Sequence, residues 1–321
     1  MSVSVVILGT RRAALRRCLD SLAAAGEPAP AEVIVVLNGT WDVTPADLEP
    51  YRRSLAPTVL AMPAAPLGRA RNAALRLARG EILFFLDDDA RVPPGFFASL
   101  ADKVRAYPDA AVLGGPNLTP EDSGRFQRWA GGVLASAVGA GPMRRRYAGF
   151  ARDVWTDDSA LMLCNLAVRR SVLVEERLAF PEDLDRNEEN LLLERLRRRG
   201  RAALHSPALA VRHDRRAGPR AFLRQCALSG LGRGQMTRSL PASLRPVHAA
   251  PAAMAVAFAA SAVWAPGLAV LLSGGYAAAV LASGWTSGGA VLDRAGVAAL
   301  TPAAHLAYAA GFLAGLAGAR Q

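Results

Sequence analysis

Residues 81–97 read EILFFLDDDARVPPGFF, and the order of apolar, acidic and turn residues within them sets the architecture. Ile82 to Leu86 form an unbroken apolar run rich in strand formers, as a strand buried on both faces of a parallel sheet requires. Asp87, Asp88 and Asp89 follow at once and would stand at the carboxyl end of that strand, where open α/β sheets bind ligands. Three adjacent carboxylates repel one another unless a cation joins them, and hard divalent ions choose oxygen ligands. A solvated acidic turn is the plainer alternative, but such a turn needs no fully apolar strand ahead of it. Pro93, Pro94 and Gly95 stop the strand and set the next helix.

Upstream, Val3 to Leu8 reads as a first strand, Arg11 to Ala25 as an amphipathic helix with Leu15, Leu19 and Leu22 on one stripe, and Glu32 to Leu37 as a second strand. The turn Asn38-Gly39-Thr40 then falls at the ligand edge of the sheet. A short strand near Thr58 to Ala61 leads to Gly68-Arg69-Ala70-Arg71-Asn72, which opens a helix running to about Arg79. Strands alternating with helices as far as residue 120 predict a doubly wound, mostly parallel sheet.

Downstream, residues 119–158 are Gly-rich with a basic cluster, Arg144 to Arg146, and read as an irregular insertion able to line an acceptor site. Ala160 to Val168 is another apolar run. Asn187 to Arg199 is a helix with Asn187 at its N-cap, Glu188 and Glu189 in the first turn, and arginines in the last turn before Gly200. Ala202 to Val211 is extended and ends in Arg212-His213.

The chain has 321 residues and a formal charge of +11, from 38 basic and 27 acidic residues; Lys103 is its only lysine. No zinc-finger, RRM or helix-turn-helix pattern supports nucleic-acid binding, so the basic surface is assigned to anionic lipid headgroups or a nucleotide diphosphate. Cys18, Cys164 and Cys226 are odd in number and widely spaced, which fits buried thiols in a reducing compartment. The start, MSVSVVIL, lacks the basic region and cleavage site of a signal peptide.

Composition changes near Arg245. From Pro246 to Leu292 no residue is charged, about twice the ~20 apolar residues that cross a bilayer. Asp293 and Arg294 interrupt, and Gly296 to Ala319 is uncharged again. Residues 214–245 carry seven arginines and, after Asp214, no acid. The positive-inside rule then keeps that segment and everything before it on the cytoplasmic side of a membrane. Three regions are expected: 1–213 catalytic, 214–245 a basic interfacial helix, and 246–321 two or three membrane helices with breaks at Pro266-Gly267 and Ser273-Gly274-Gly275. A water-soluble Ala-rich bundle is the alternative for the tail.

Taken in order, the strand–helix alternation, the Ala70-Arg71-Asn72 element, the FLDDD run and the later acidic pair resemble the family 2 glycosyltransferases of GT-A fold over residues 1 to about 213. The basic and apolar tail is similar to that of membrane-associated bacterial members that build exopolysaccharide or lipid-linked glycans. The resemblance implies a Rossmann-like sheet with flanking helices, a nucleotide-sugar donor (UDP-, GDP- or dTDP-linked), and Mg²⁺ or Mn²⁺. It places Asp87 on the ribose and nucleotide side and Asp88 and Asp89 on the metal side, with His213 as a further ligand. Arg71, Asn72 and Gly68 fall near the donor phosphates. Asn38 stands where the family commonly has an Asp that reads the base. The catalytic base is expected in Asn187-Glu188-Glu189-Asn190, with Glu in place of the usual Asp; Glu189 is favoured over Glu188, and Asp183 and Asp185 are weaker candidates.

The function so implied is inverting, non-processive transfer of a sugar to a lipid-linked or membrane-proximal glycan acceptor. Non-processivity is expected because Leu228 stands where processive synthases carry Arg after Gln225. The acceptor of a close variant would be polyprenyl phosphate, which needs no deprotonation. Two other classes use some of the same features: a nucleotidyltransferase, of whose phosphate loop Gly9-Thr10-Arg11-Arg12 is a poor version, and a catalytically inactive membrane scaffold.

Overall fold

The structure, a computed structural model, describes residues 1–184, 186–287 and 290–319. The chain begins with β1 (Val3–Leu8), α1 (Arg12–Ala23), β2 (Glu32–Asn38), α2 (Pro45–Leu48), β3 (Thr58–Met62), α3 (Leu67–Leu77), β4 (Ile82–Asp87), β5 (Ala90–Arg91), α4 (Phe96–Ala106), β6 (Ala110–Gly114) and β7 (Asn117–Leu118). Next come α5 (Arg125–Ala135), α6 (Ala137–Ala140), α7 (Arg145–Ala148), β8 (Val154–Thr156), β9 (Asn165–Arg169), α8 (Arg170–Glu175), α9 (Glu188–Arg198), β10 (Ala202–His205) and β11 (Val211–His213). The last third is helical: α10 (Pro219–Ser239), α11 (Pro246–Trp264), α12 (Pro266–Thr286) and α13 (Val291–Ala317).

Two compact units divide the chain. The first comprises Met1–Pro120, Ala148–Asp183 and Glu188–Asp214; the second comprises Glu121–Tyr147, Leu184–Asn187 and Arg215–Gln321.

The first unit is an α/β layer structure around an eight-stranded sheet in the order β3-β2-β1-β4-β9-β6-β10-β8, with a small sheet β5-β11-β7 beside it. β1, β2, β3 and β4 run parallel to one another, whereas β9 is antiparallel to both β4 and β6. Successive side chains of a strand point to opposite faces, and β4 shows what this does. Phe84 packs on Phe96 and Phe97, at ring separations of 4.9 and 6.1 Å, in the layer that holds the buried stripe of α1. Phe85 packs edge-on to Phe180 at 5.1 Å in the opposite layer. Burying one such side chain stabilises the fold by roughly 1.5–3 kcal/mol, so the apolar run anchors both layers at once. Only the last part of the Ala160–Val168 run is a strand, because β9 pairs with β4 from Asn165 onward.

In the second unit, α5 packs on the C-terminal helices, so residues 121–147 group with them and not with the sheet. Ala130 and Val133 share a buried cluster with Phe222, Val297 and Ala304. Trp129 Nε1 donates to Asp293 Oδ1 at 3.0 Å, and Arg128 Nε donates to Asp293 Oδ2 at 3.2 Å. Helix α10 is not confined to a surface. A Cβ added at Gly230 or Gly234 would meet the backbone of α13 at 2.1 or 2.4 Å, and one at Gly311 or Gly315 would meet α10 at 1.9 or 2.2 Å. Paired Gly-x-x-x-Gly steps thus let the two backbones touch, as in packed membrane helices.

Three helices, Pro246–Trp264, Pro266–Thr286 and Val291–Ala317, are long and apolar enough to cross a membrane. Val263, Trp264, Val270, Leu271, Leu281 and Trp285 remain exposed on them, an apolar surface that marks membrane association and that a water-soluble bundle would bury. The break at Pro266 is present, but α12 runs straight through Ser273-Gly274-Gly275, where the two glycines face open space.

Candidate active site

The parallel register sets Asp87 beside Leu8, so the turn after β1 lies against the acidic triplet. Asp88 Oδ2 accepts the backbone N–H groups of Thr10 and Arg11, each at 3.2 Å, just ahead of the N-terminus of α1. The Arg11 guanidinium bridges the next two carboxylates, donating to Asp88 Oδ1 and, at 2.8 Å, to Asp89 Oδ2. Arg11 thus supplies a positive charge between the second and third carboxylates of the triplet.

His213 arrives through the small sheet. Antiparallel pairing of β11 with β5 sets His213 opposite Ala90, and Asp214 N donates to Asp89 O at 2.9 Å. His213 Nε2 then lies 3.0 Å from Asp89 Oδ1. Arg17 and Arg91 hold the following Asp214 at 2.7 and 3.3 Å. Burial by itself would raise the Asp89 pKa, but His213 and Arg11 outweigh it and hold the carboxyl well below the usual range. Burial likewise disfavours a charged His213, yet Cys164 and Asp89 outweigh it and push the imidazole up to about 10. Asp87 moves the other way: burial, reinforced by Asp89, raises it against the pull of Arg71 and His213.

Arg71 connects the triplet to the acid pair. Its guanidinium is 6% exposed and forms a buried ion pair with Glu188, 2% exposed, while its charge also acts on Asp87. Breaking a buried pair by removing one partner typically costs about 3–5 kcal/mol, so Arg71 and Glu188 hold each other in place. Asn72 clamps the chain ahead of α9: Nδ2 donates to Phe180 O and Glu182 Oε1, both at 2.9 Å, and Oδ1 accepts Phe180 N at 2.9 Å. Gly68 sits so close to this segment that a Cβ would lie 1.9 Å from Pro181 O. Gly68, Arg71 and Asn72 thus contact residues 180–182 and Glu188. Asn38, on β2, donates to Ala65 O at 2.8 Å and accepts Ala65 N at 2.9 Å. Glu189, next to Glu188 in the first turn of α9, accepts Asn190 Nδ2 at 3.2 Å. Asp185 lies outside the described residues.

Asp87, Asp88, Asp89 and His213 come together at one sheet edge, and Glu188 joins them through Arg71. Carboxylate and imidazole donors are of the kind a divalent cation takes. Two residues are not legible in the sequence as neighbours of the acidic triplet. Arg11 reads there as part of a poor version of a phosphate loop, although its place shortly after β1 puts it level with the end of β4. Cys164 precedes Asn165, which pairs with Leu86, so the thiol comes next to Asp87; that register is invisible in one dimension. A cleft of about 550 Å³ opens at the far end of β4, among Arg79, Ile82, Arg169 and Arg170, away from these groups.

Comparison with known proteins agrees with the fold. A mannosyltransferase from Pyrobaculum calidifontis, PcManGT, solved with GDP-Man and Mn²⁺, superposes with a TM-score of 0.59 at 18% identity, over 98% of this chain and 86% of that one. S. aureus TarS 1-349 in complex with UDP-GlcNAc gives 0.53 at 17% identity, over 96% and 91%. Against the same TarS fragment without that ligand, the match covers 73% of this chain and 65% of that one, at 20% identity and a TM-score of 0.49. The chain thus spans less than two thirds of that relative's length. No curated protein matches by sequence. The family model for glycosyl transferase family 2 matches residues 2–173, more than half of the chain. With the GT-A layers and the acidic edge in place, that match decides the class: the chain belongs to glycosyl transferase family 2 and is a glycosyltransferase.

Proposed function

We propose that the chain moves a single sugar, with inversion, from a nucleotide-sugar donor to a lipid-linked or membrane-proximal glycan acceptor on the cytoplasmic face of a membrane. The observation that carries this reading is the acidic sheet edge, where Asp88 and Asp89 share the Arg11 guanidinium and His213 meets Asp89 at 3.0 Å.

Asp88, Asp89 and His213 would hold Mg²⁺ or Mn²⁺. Such an ion, when bound, offsets the charge that builds on the departing nucleoside diphosphate. Asp87, with a raised pKa beside Arg71, is suited to hydrogen-bond a ribose hydroxyl. Arg11, released from the carboxylates, becomes a second cation for the diphosphate. Glu189 takes the proton from the acceptor hydroxyl, while Glu188, locked on Arg71, fixes the helix start that presents it. The first unit is then the transferase domain and the second its membrane module.

The charge distribution favours a particular variant. The second unit has 15 arginines against four acids and so carries the entire excess of +11. An acceptor already anionic, such as a polyprenyl phosphate, would be drawn to it and would need no base. Nucleoside diphosphate release from UDP-, GDP- and dTDP-sugars with Mn²⁺ tests the core reading; no release with any donor and acceptor overturns it. Glu189→Gln separates the acceptors: a loss of about 10²–10⁴-fold in kcat means a hydroxyl acceptor, and near-full activity means a phosphate.

A further inference from the structure

The register of β9 on β4 places Cys164 next to Asp87, and the parallel pairing of β7 with β11 brings Asn117 and His213 around the same point. Cys164 Sγ lies 3.1 Å from Asn117 Oδ1 and 3.7 Å from His213 Nδ1. Ligand atoms of Asp87, Cys164 and His213 all fall within 4.8 Å of one another. Around a tetrahedral ion with bonds of about 2.0–2.3 Å, such atoms stand roughly 3.4–3.8 Å apart, so small side-chain rotations close the set.

The two nitrogens of His213 are used differently. Nδ1 faces the thiol, while Nε2 meets Asp89 Oδ1 at 3.0 Å. An outer carboxylate on one nitrogen with an ion on the other is the arrangement that fixes a metal-binding imidazole and raises its basicity.

We propose that Asp87, Cys164 and His213 form an oxygen–sulfur–nitrogen site for a thiophilic divalent cation, Zn²⁺ above all, with Asp89 as its positioning carboxylate. Sulfur adds little for Mg²⁺ but strongly favours zinc-like ions. Three protein donors leave one position open to water or a phosphate oxygen. On binding, Sγ bonds to the ion, its proton passes to solvent, and Asn117 Oδ1 loses the S–H that it accepts beforehand. The proposal rests on the metal-dependent reading above only in sharing His213, Asp89 and Asp87 with it. Zinc held at Cys164 therefore excludes the ion that serves the donor, and Zn²⁺ inhibits turnover supported by Mn²⁺.

The test is Co²⁺ titration of the full chain in detergent, followed by absorption. A sulfur-to-cobalt charge-transfer band is expected in the native chain and in Cys226→Ser, and its loss in Cys164→Ser. Zn²⁺ affinity, measured by competition with Co²⁺, should fall about 100-fold or more in Cys164→Ser and about 10–100-fold in Asp89→Asn. Should Cys164→Ser not fold, zinc-edge X-ray absorption of the native chain decides, since one sulfur scatterer is required. A zinc shell of nitrogen and oxygen only, or a band that persists in Cys164→Ser, overturns the proposal. Calorimetry with Mn²⁺ and UDP or GDP keeps the two readings apart: binding there without sulfur ligation sinks the thiolate site alone, and no metal binding of either kind sinks the metal-dependent transferase as well.

Discussion

The two units divide the chain's charge unevenly. The first holds 23 basic and 23 acidic residues and is neutral overall; the second holds 15 and four. In the first, charges are matched partner by partner: Arg11 with Asp88 and Asp89, Arg71 with Glu188, Arg17 and Arg91 with Asp214, Lys103 with Asp153. In the second, the excess of like sign accompanies three helices long and apolar enough to span a bilayer. The high isoelectric point is thus a property of the second unit. A transferase domain must hold a highly anionic donor at one defined place, and a diffuse positive field would compete with that place; a module facing anionic lipid gains from such a field.

Four experiments break or sharpen this contrast. The largest effect is expected for Asp89→Ala, which should lower kcat by at least about 10²–10³-fold while leaving the domain folded. Unfolding instead would make the matched charges of the first unit structural rather than catalytic.

Gly311→Leu addresses the other unit. The added side chain would start 1.9 Å from Ala227 O, a backbone atom that cannot swing aside. A loss of about 3 kcal/mol or more is expected in thermal or denaturant melts in detergent, with nucleotide affinity retained. Equal loss of nucleotide binding would show that the two units are not energetically separate.

Arg220 and Arg224 are exposed on α10. Their double reversal to Glu should remove a preference for anionic over neutral nanodiscs, at about 1 kcal/mol for each arginine lost. A preference that survives would move the lipid contact elsewhere.

The smallest effect concerns pH. Burial opposes ionisation of Asp153, but hydrogen bonds from Lys103, Ser206 and Tyr107 outweigh it and hold its pKa below the ordinary value. A depressed carboxyl stabilises the fold above its unfolded pKa of about 3.9 and loses that contribution as pH falls toward the folded value. The melting-temperature gap between the native chain and Asp153→Asn should therefore be full at pH 7 and shrink below about pH 4. A gap that is constant with pH would mean that the carboxylate's charge plays no part.

Much of this was legible in one dimension for a physical reason. β1, β2 and β4 are continuous apolar runs, and the acids at the end of β4 follow their strand directly, so adjacency in sequence is adjacency in space. The C-terminal spans announce themselves by composition alone. What stayed hidden depends on pairing between distant segments: the antiparallel entry of β9 that delivers Cys164, the level of β1 that delivers Arg11, and the packing of α5 with α13. Asn38, Gly68, Arg71 and Asn72 were found as notable residues, but Asn38, Gly68 and Asn72 meet loops whose course no local pattern encodes, and Arg71 meets Glu188 on a helix far away in sequence.

Arg11 has one more implication. A guanidinium belonging to the chain sits between Asp88 and Asp89, so under the metal-dependent reading proposed above the carboxylates have a positive partner before any ion binds. Activation is then an exchange of one positive occupant for another. Chelators should switch such an enzyme off without harming it, and adding the ion back should restore it at once.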